Sequence, residues 1–385
     1  MKAAWVSLII ALAVVGSVAA AGPVSFERIV VDKTFRAEGV ATGDVNHDGK
    51  LDILSGDVWY AGPDFKEMGE VREVGTYDGT KGYSNCFANF AQDVNGDGWI
   101  DSIVIGLPDG PCLWYENPKN KPGHWKERTV VGSACNETPI FVRLLGKRKA
   151  PVLVFAVRPK GQMAWFGVPD DLDGLWDMHL IAAGPDAPGT KKYSHGLGAG
   201  DINGDGRCDV LVKEGWWQAP RKRTRENWKF HPANLGADCA NVLVYDVDGD
   251  GDSDVITSSA HKYGIWWHEQ LPGDGSQFKQ HLISDKYSQP HAIILADMNR
   301  DGLVDVVTGK RHLAHQGRDP GGKDPAMLYW FELRRPENGD PEFVMHEIDD
   351  DSGVGTQFEV VDINGDDRLD IVTSNKKGVR VFLQK

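Results

Sequence analysis

Cysteine is scarce in this 385-residue chain, and the five present (Cys86, Cys112, Cys135, Cys208, Cys239) show no zinc-ligand spacing. Base is also short. Against 56 Asp and Glu stand 42 Lys and Arg, a formal charge of −14 that argues against nucleic acid as a partner. No P-loop, nucleophile elbow or His-Glu-x-x-His motif occurs, so the chemistries that depend on them find no support. Beyond the N-terminus, no apolar run is long enough to span a bilayer.

The N-terminus is different. Lys2, an apolar run from Ala3 to Val18, and Ala19-Ala20-Ala21 before Gly22 read as a secretory signal over residues 1–21. The expected location is periplasmic or extracellular, with residues 22–385 as one domain. An uncleaved anchor is the alternative, while lipoprotein attachment is disfavoured because no Cys follows the run. Setting Cys208 aside as unpaired leaves four cysteines and three pairings; one or two disulfides are expected, and spacing does not choose among them.

What the chain has in abundance is one nine-residue frame, six times over. The copies are DVNHDGKLD (44–52), DVNGDGWID (93–101), DINGDGRCD (201–209), DVDGDGDSD (246–254), DMNRDGLVD (297–305) and DINGDDRLD (362–370). Calcium takes six to eight oxygens, and side chains at positions 1, 3 and 5 of such a frame can wrap one ion. The expected ligands are Asp44, Asn46, Asp48 and Asp52; Asp93, Asn95, Asp97 and Asp101; Asp201, Asn203, Asp205 and Asp209; Asp246, Asp248, Asp250 and Asp254; Asp297, Asn299, Asp301 and Asp305; and Asp362, Asn364, Asp366 and Asp370. Backbone carbonyls at position 7 complete the sets, from Lys50, Trp99, Arg207, Asp252, Leu303 and Arg368. Apolar, β-branched runs such as Ile103-Val104-Ile105 and Val210-Leu211-Val212 follow the frames, so these loops join strands rather than the helices of an EF-hand.

A plain Asp/Asn/Gly hairpin turn is the simpler alternative. It does not account for Asp at both positions 1 and 9 in every copy, and without a cation the carboxylates repel. Six structural Ca²⁺ ions would offset 12 of the 14 surplus negative charges. The last loop departs from the pattern, with Asp367 in place of Gly at the sharp turn.

The frames recur about every 50 residues except between 93 and 201, which indicates a repeat architecture with one unmarked unit. Aromatic doublets follow the loops, at Trp59-Tyr60, Trp114-Tyr115, Trp216-Trp217, Trp266-Trp267 and Trp330-Phe331. An extra doublet, Trp165-Phe166, places a seventh unit at about 137–182, its loop reduced to Arg143–Pro151 without carboxylates. Aromatic-led strands carrying His179, His231, His281 and His346 repeat with the period and read as structural. Four strands in each of seven units predict an all-β, seven-bladed propeller, closed by pairing of Phe26–Val31 with the last unit.

These loops and doublets resemble the FG-GAP/VCBS repeat family, akin to the integrin α-chain propeller, over nearly all of residues 26–385. The resemblance implies the fold and says little about function, because such propellers serve as adhesins, receptors and enzyme scaffolds.

Chemistry is expected at the end of the ring away from the calcium loops. Six residues before each first Asp stand Glu38, Phe87, Glu137, His195, Ala240, His291 and Thr356; five after each last Asp stand Asp57, Gly106, Ala156, Glu214, Ser259, Lys310 and Asn375. Both sets are expected at the mouth of the central channel, with Lys213, His261, Lys262, Arg311 and His312 as neighbours. The candidate catalytic residues are His195, His291, Lys310, Arg311, Glu137 and Glu214. Histidine moves protons near neutrality, carboxylates orient it, and Lys or Arg steadies an oxyanion or enolate. Alternatively, His195, Glu137 and Glu214 hold an additional divalent metal in the funnel. The segment 308–327 lengthens its unit and is expected to cover the funnel.

A fainter similarity, in the blade pattern and the His- and Lys/Arg-bearing funnel, is to the propeller portion of aldos-2-ulose dehydratase, whose accompanying cupin domains are absent here. It implies a lyase or dehydratase acting on a carbohydrate or keto-sugar, by proton abstraction beside a carbonyl or uronate. The rival reading is a non-catalytic carbohydrate- or protein-binding adhesion module. Converged His, Glu and Lys side chains would favour the enzyme, and a flat open face with a narrow channel the adhesin.

Overall fold

The computed structural model describes residues 24–236 and 241–385. The expected signal segment, and Cys239 and Ala240, lie outside the described residues. No helix among the described residues is long and apolar enough to cross a membrane.

The repeat period resolves into antiparallel strands in a β-propeller arrangement. Ala41–Gly43, Asp52–Ser55, Val58–Tyr60 and Met68–Glu70 form one four-stranded sheet, and Ala88–Gln92, Asp101–Ile105, Gly110–Glu116 and Lys126–Ala134 the next. The unit without carboxylates folds alike, as Ile140–Val142, Val152–Val157, Gln162–Gly167 and Asp177–Ala182. Second strands such as Asp101–Ile105 and Asp305–Lys310 are buried along their whole length, because neighbouring sheets cover both faces.

The expectation of seven separate sheets is not met. Five sheets have four strands, and a sixth has eight, because Leu197–Gly200 pairs in parallel with Asn241–Tyr245. Glycine allows this approach: a Cβ on Gly198 would meet the Val242 carbonyl oxygen at 1.8 Å, and one on Gly200 would meet the Val244 side chain at 2.4 Å.

The first and last described strands meet. Phe26–Asp32 pairs antiparallel with Gly378–Gln384 and supplies the outer strand of the last sheet, covering an edge that would otherwise be open. The fourth-strand histidines stack on doublet tryptophans directly across the ladder: His179 on Trp165, His231 on Trp216, His281 on Trp267 and His346 on Trp330, with ring centroids 3.9–4.4 Å apart.

The expected disulfides are absent among the described residues, where Cys86, Cys112, Cys135 and Cys208 are all free. Cys86, Cys112 and Cys135 are buried among apolar side chains, and burial pushes the Cys86 and Cys135 thiols up to about 12.

Candidate functional site: a buried Glu-His-Arg cluster and the aspartate loops

The aspartate loops have a division of labour that composition does not reveal. The ninth residue, buried in each copy, uses one carboxylate oxygen to accept the N–H of position 2 and the other to accept an N–H just past or at the end of the third strand. Asp305, for example, accepts from Met298 at 2.8 Å and from Leu333 at 3.0 Å; Asp370 accepts from Ile363 at 3.1 Å and from Gln384 at 2.8 Å. This clamp explains why position 9 does not vary. It also concentrates charge: burial, reinforced by carboxylates of the same loop, pushes Asp101, Asp209 and Asp305 up to about 7. Carboxylates of Asp246, Asp248 and Asp254 approach within 4.8 Å of one another. Such a donor set fits a hard dication. Asp367 takes φ 67°, a left-handed conformation like the φ 80–97° of the glycines at the same position in the other loops, so the departure from Gly leaves the turn intact.

At the other end of the strands, residues preceding the inner strands converge. Glu137 and His195 introduce Ile140–Val142 and Leu197–Gly200, and His291 lies in Pro290–Ala296. His195 Nε2 stands 3.2 Å from Glu137 Oε2, and His291 Nε2 stands 3.4 Å from Glu137 Oε1. His261, from the connection after Asp254–Ser258, closes the group: one ligand atom from each of Glu137, His195, His261 and His291 lies within 4.8 Å of the rest. Ring centroids of His195 and His291 are 5.2 Å apart, and those of His195 and His261 4.9 Å.

Arg311 enters this cluster from the long loop. Its Nη1 donates to Glu137 and, at 2.8 Å, to His291 Nε2. Its guanidinium lies over the rings of Tyr83 and Phe87 at 5.4 and 5.5 Å. Glu38 lies behind it, 3.8 Å from Nε, fully buried, with neither carboxylate oxygen hydrogen-bonded. Arg311 Nε and Nη2, His195 Nε2 and His291 Nδ1 are likewise buried without hydrogen-bond partners. Native interiors satisfy most such groups, so this concentration marks a place built for more than packing.

The environment separates the two carboxyls. Burial alone would raise Glu137, but Arg311, His195 and His291 hold it well below the usual carboxylate range. Burial raises Glu38, and Arg311 only partly opposes it. Burial, with Arg311 beside it, depresses His291; burial, with His195 nearby, brings His261 down to about 4. Neutral imidazoles beside an ionised carboxylate are the protonation states that metal ligands need.

Of the six candidate catalytic residues, Glu137, His195, His291 and Arg311 meet, and Lys310 and Glu214 do not. Lys310 is buried and donates to the Asp324 carbonyl at 2.9 Å; successive residues of an extended chain point oppositely, so Arg311 faces the cluster and Lys310 does not. Glu214 is exposed in a hairpin turn farther from the axis. It shares with His195 a cavity of about 420 Å³ lined also by Asp186, Lys191, Lys192, Tyr193, Ser194 and Lys213. Tyr193 is 47% exposed and holds φ 62°, a left-handed conformation uncommon outside glycine.

Sequence reasoning placed His261 only as a neighbour, and left Tyr83 and Asp319 out. The signal for His261 was its place two residues after Ser259 in the shared register. Segment 308–327 does lie against the cluster: His315 N–H donates to Tyr83 Oη at 2.9 Å, and Lys376 Nζ to the Leu313 carbonyl at 2.9 Å.

Comparison with known proteins bears on the fold. A model of the FG-GAP-like repeat matches residues 246–308. No curated protein sequence matches the chain. Similar solved structures include BBS1N in complex with ARL6DN (TM-score 0.51, 9% identity, 93% of this chain and 95% of that one) and exotype rhamnogalacturonan lyase YesX (0.48, 13%, 91% and 72%). A further one is an Agrocybe aegerita lectin that recognises non-reducing terminal N-acetylglucosamine (0.44, 14%, 94% and 85%). At these identities the likeness concerns the fold alone.

Proposed function

We propose that this chain is an exported, calcium-stabilised propeller whose calcium-free end carries a metal-assisted lyase or dehydratase centre for a carbohydrate. On this reading the eight-stranded sheet is two units joined edge to edge, which makes seven in the ring. The observation that carries the functional reading is the convergence of Glu137, His195, His261 and His291 on one buried point.

These four residues would hold one divalent ion, with His291 Nε2 giving up the hydrogen bond it accepts from Arg311. One ligand atom from each lies within 4.8 Å of the others, and two different Glu137 oxygens stand 3.2 Å from His195 Nε2 and 3.4 Å from His291 Nε2, so a small inward shift of the side chains would bring the four donors onto one ion. The contacts are ion-pair distances, and His195 Nε2 makes no hydrogen bond. The ligand set replaces Glu214 of the sequence expectation with His261 and His291. An ion there would supply Lewis-acid polarisation of a carbonyl or carboxylate oxygen taken up as an additional, fifth ligand.

The remaining tasks fall to the chain. Arg311, held between Tyr83 and Phe87 and balanced by Glu38, adds fixed positive charge in a low-dielectric setting where developing negative charge is most strongly stabilised. The cavity beside His195, with an exposed tyrosine ring and many hydrogen-bonding groups, suits a hydroxyl-rich ring. Glu214 on its wall takes the proton from carbon beside the polarised carbonyl. The β C–O bond breaks, a C=C bond forms, and the departing oxygen receives the proton. With His195 and His291 as ligands, the base is the cavity carboxylate rather than an imidazole. The buried, converged side chains favour catalysis over an adhesive face.

The test is incubation with a panel of uronate polymers and keto-sugars plus divalent ions, followed by ultraviolet absorbance. The expected result is an unsaturated product from wild type and none from His195→Ala. Absence of product across the panel overturns the catalytic reading.

A further inference from the structure

His261 differs from the other ligands in one respect: its second nitrogen is spoken for. Nδ1 lies 3.2 Å from Asp319 Oδ2. Asp319 accepts two further hydrogen bonds, from Gln289 Nε2 at 2.9 Å and from His315 Nδ1 at 3.0 Å. The Asp319 carboxylate oxygens accept in all three contacts. They make His261 the Nδ1–H tautomer, with the Nε2 lone pair left for an ion held jointly with Glu137, His195 and His291. A carboxylate behind a ligating imidazole sets ring orientation and raises ligand basicity.

Asp319 is not part of the propeller walls. It belongs to the loop between Asp305–Lys310 and Leu328–Arg334, which lies against the cluster through Arg311, His315 and Asp319 itself. The loop is attached on several sides: to Tyr83 through His315, to Lys376 through the Leu313 carbonyl, and to Ser288 through the Gly321 carbonyl at 3.1 Å. Its inner end delivers Arg311. The middle of this loop reaches His261 through Asp319 and through the ring of His315, whose centroid lies 4.6 Å from that of His261, and Asp319 is the member that contacts a His261 nitrogen.

We propose that Asp319 is a positioning residue for the metal centre, and that it couples closure of the loop over residues 311–327 to ion binding. The inference rests on the metal reading above. Linkage then runs both ways: whatever factor the closed loop adds to ion affinity, the bound ion adds to closure.

The probe is Co²⁺ added to calcium-loaded full-length protein, read by visible absorption, with hydrogen exchange of residues 311–324 measured in parallel. Asp319→Ala should weaken Co²⁺ binding by about 10–100-fold, the usual cost of losing such a partner. Asp319→Asn, which keeps an acceptor oxygen, should lose less. In wild type, Co²⁺ should slow exchange in the loop; in Asp319→Ala it should not. Unchanged melting in calcium shows that the variants are folded, and a variant that melts early is judged on its exchange pattern outside the loop. Wild type and Asp319→Ala binding Co²⁺ within about twofold of each other overturns this inference while leaving the metal reading intact. Wild type that binds no Co²⁺ at the cluster overturns both.

Discussion

Glu137 Oε2 and His195 Nε2 stand 3.2 Å apart inside the ring, although they introduce the inner strands of two different sheets. Repeat registration is what brings them together: both share one register position, as do Glu38, which also precedes its strand, and His291, which lies just inside Pro290–Ala296. The centre is thus assembled from one turn position sampled around the ring, completed by His261 and Arg311 from the connections after second strands.

Loss of the Glu137 charge should be costly in stability as well as in ion binding. Glu137→Leu leaves Arg311 with only Glu38, 3.8 Å from Nε. Removing one partner of a buried ion pair costs about 3–5 kcal/mol. Urea denaturation should show a loss of that order, and Co²⁺ uptake should disappear. A variant as stable as wild type would mean that Arg311 is not held by this pair.

Glu214→Gln should separate chemistry from assembly. Loss of a general base typically lowers turnover by about 10²–10⁴-fold. Ion content and melting temperature should stay at wild-type values, because Glu214 is exposed and outside the cluster. Full activity would return the proton transfer to another group.

Chelation should act at the opposite end of the molecule. A ligand bound only by the native state stabilises by about 2.7 kcal/mol at a hundredfold excess over its Kd. Removing calcium with a selective chelator should therefore lower the melting temperature steeply, and returning it should restore the transition. An unchanged transition would reduce the six loops to turns held by their ninth aspartate alone.

Acidification offers a test away from both kinds of site. His268 is buried, its Nε2 2.8 Å from Thr257 Oγ1, and burial, with His281 nearby, brings it down to about 4. Its folded pKa is below the unfolded value near 6.5, so the unfolded chain takes up the proton first as pH falls. The native state loses stability from about pH 6.5 down to about 4, on the order of 3 kcal/mol for this group. His268→Gln, which can keep the Thr257 hydrogen bond, should flatten that part of the stability profile. Profiles of equal slope would contradict a buried neutral imidazole.

The fold was legible to the extent that it was periodic. The frame, the doublets and the orphan Phe26 strand led to four-stranded units and ring closure, because turn chemistry and β-branched runs are local signals. The joining of two units into one sheet was not legible, since it depends on Gly198 and Gly200 admitting Val242 and Val244. Within the cluster, Glu137, His195 and His291 followed from register. Lys310 and Glu214 stay outside the cluster for a geometric reason: their register position falls in or beside the hairpin that ends the second strand, where a one-residue change reverses side-chain direction. Arg311 met the cluster by that same one-residue step. Asp319 carried no sequence signal, because only the path of a long loop brings it to His261.

The most direct test of the central claim is metal analysis of purified protein after transition ions have been supplied in the presence of calcium. Wild type should retain one tightly bound transition ion per chain, and a His195→Ala/His291→Ala variant should retain none while keeping its calcium. Equal transition-metal content in the two proteins would contradict a metal centre at Glu137, His195, His261 and His291.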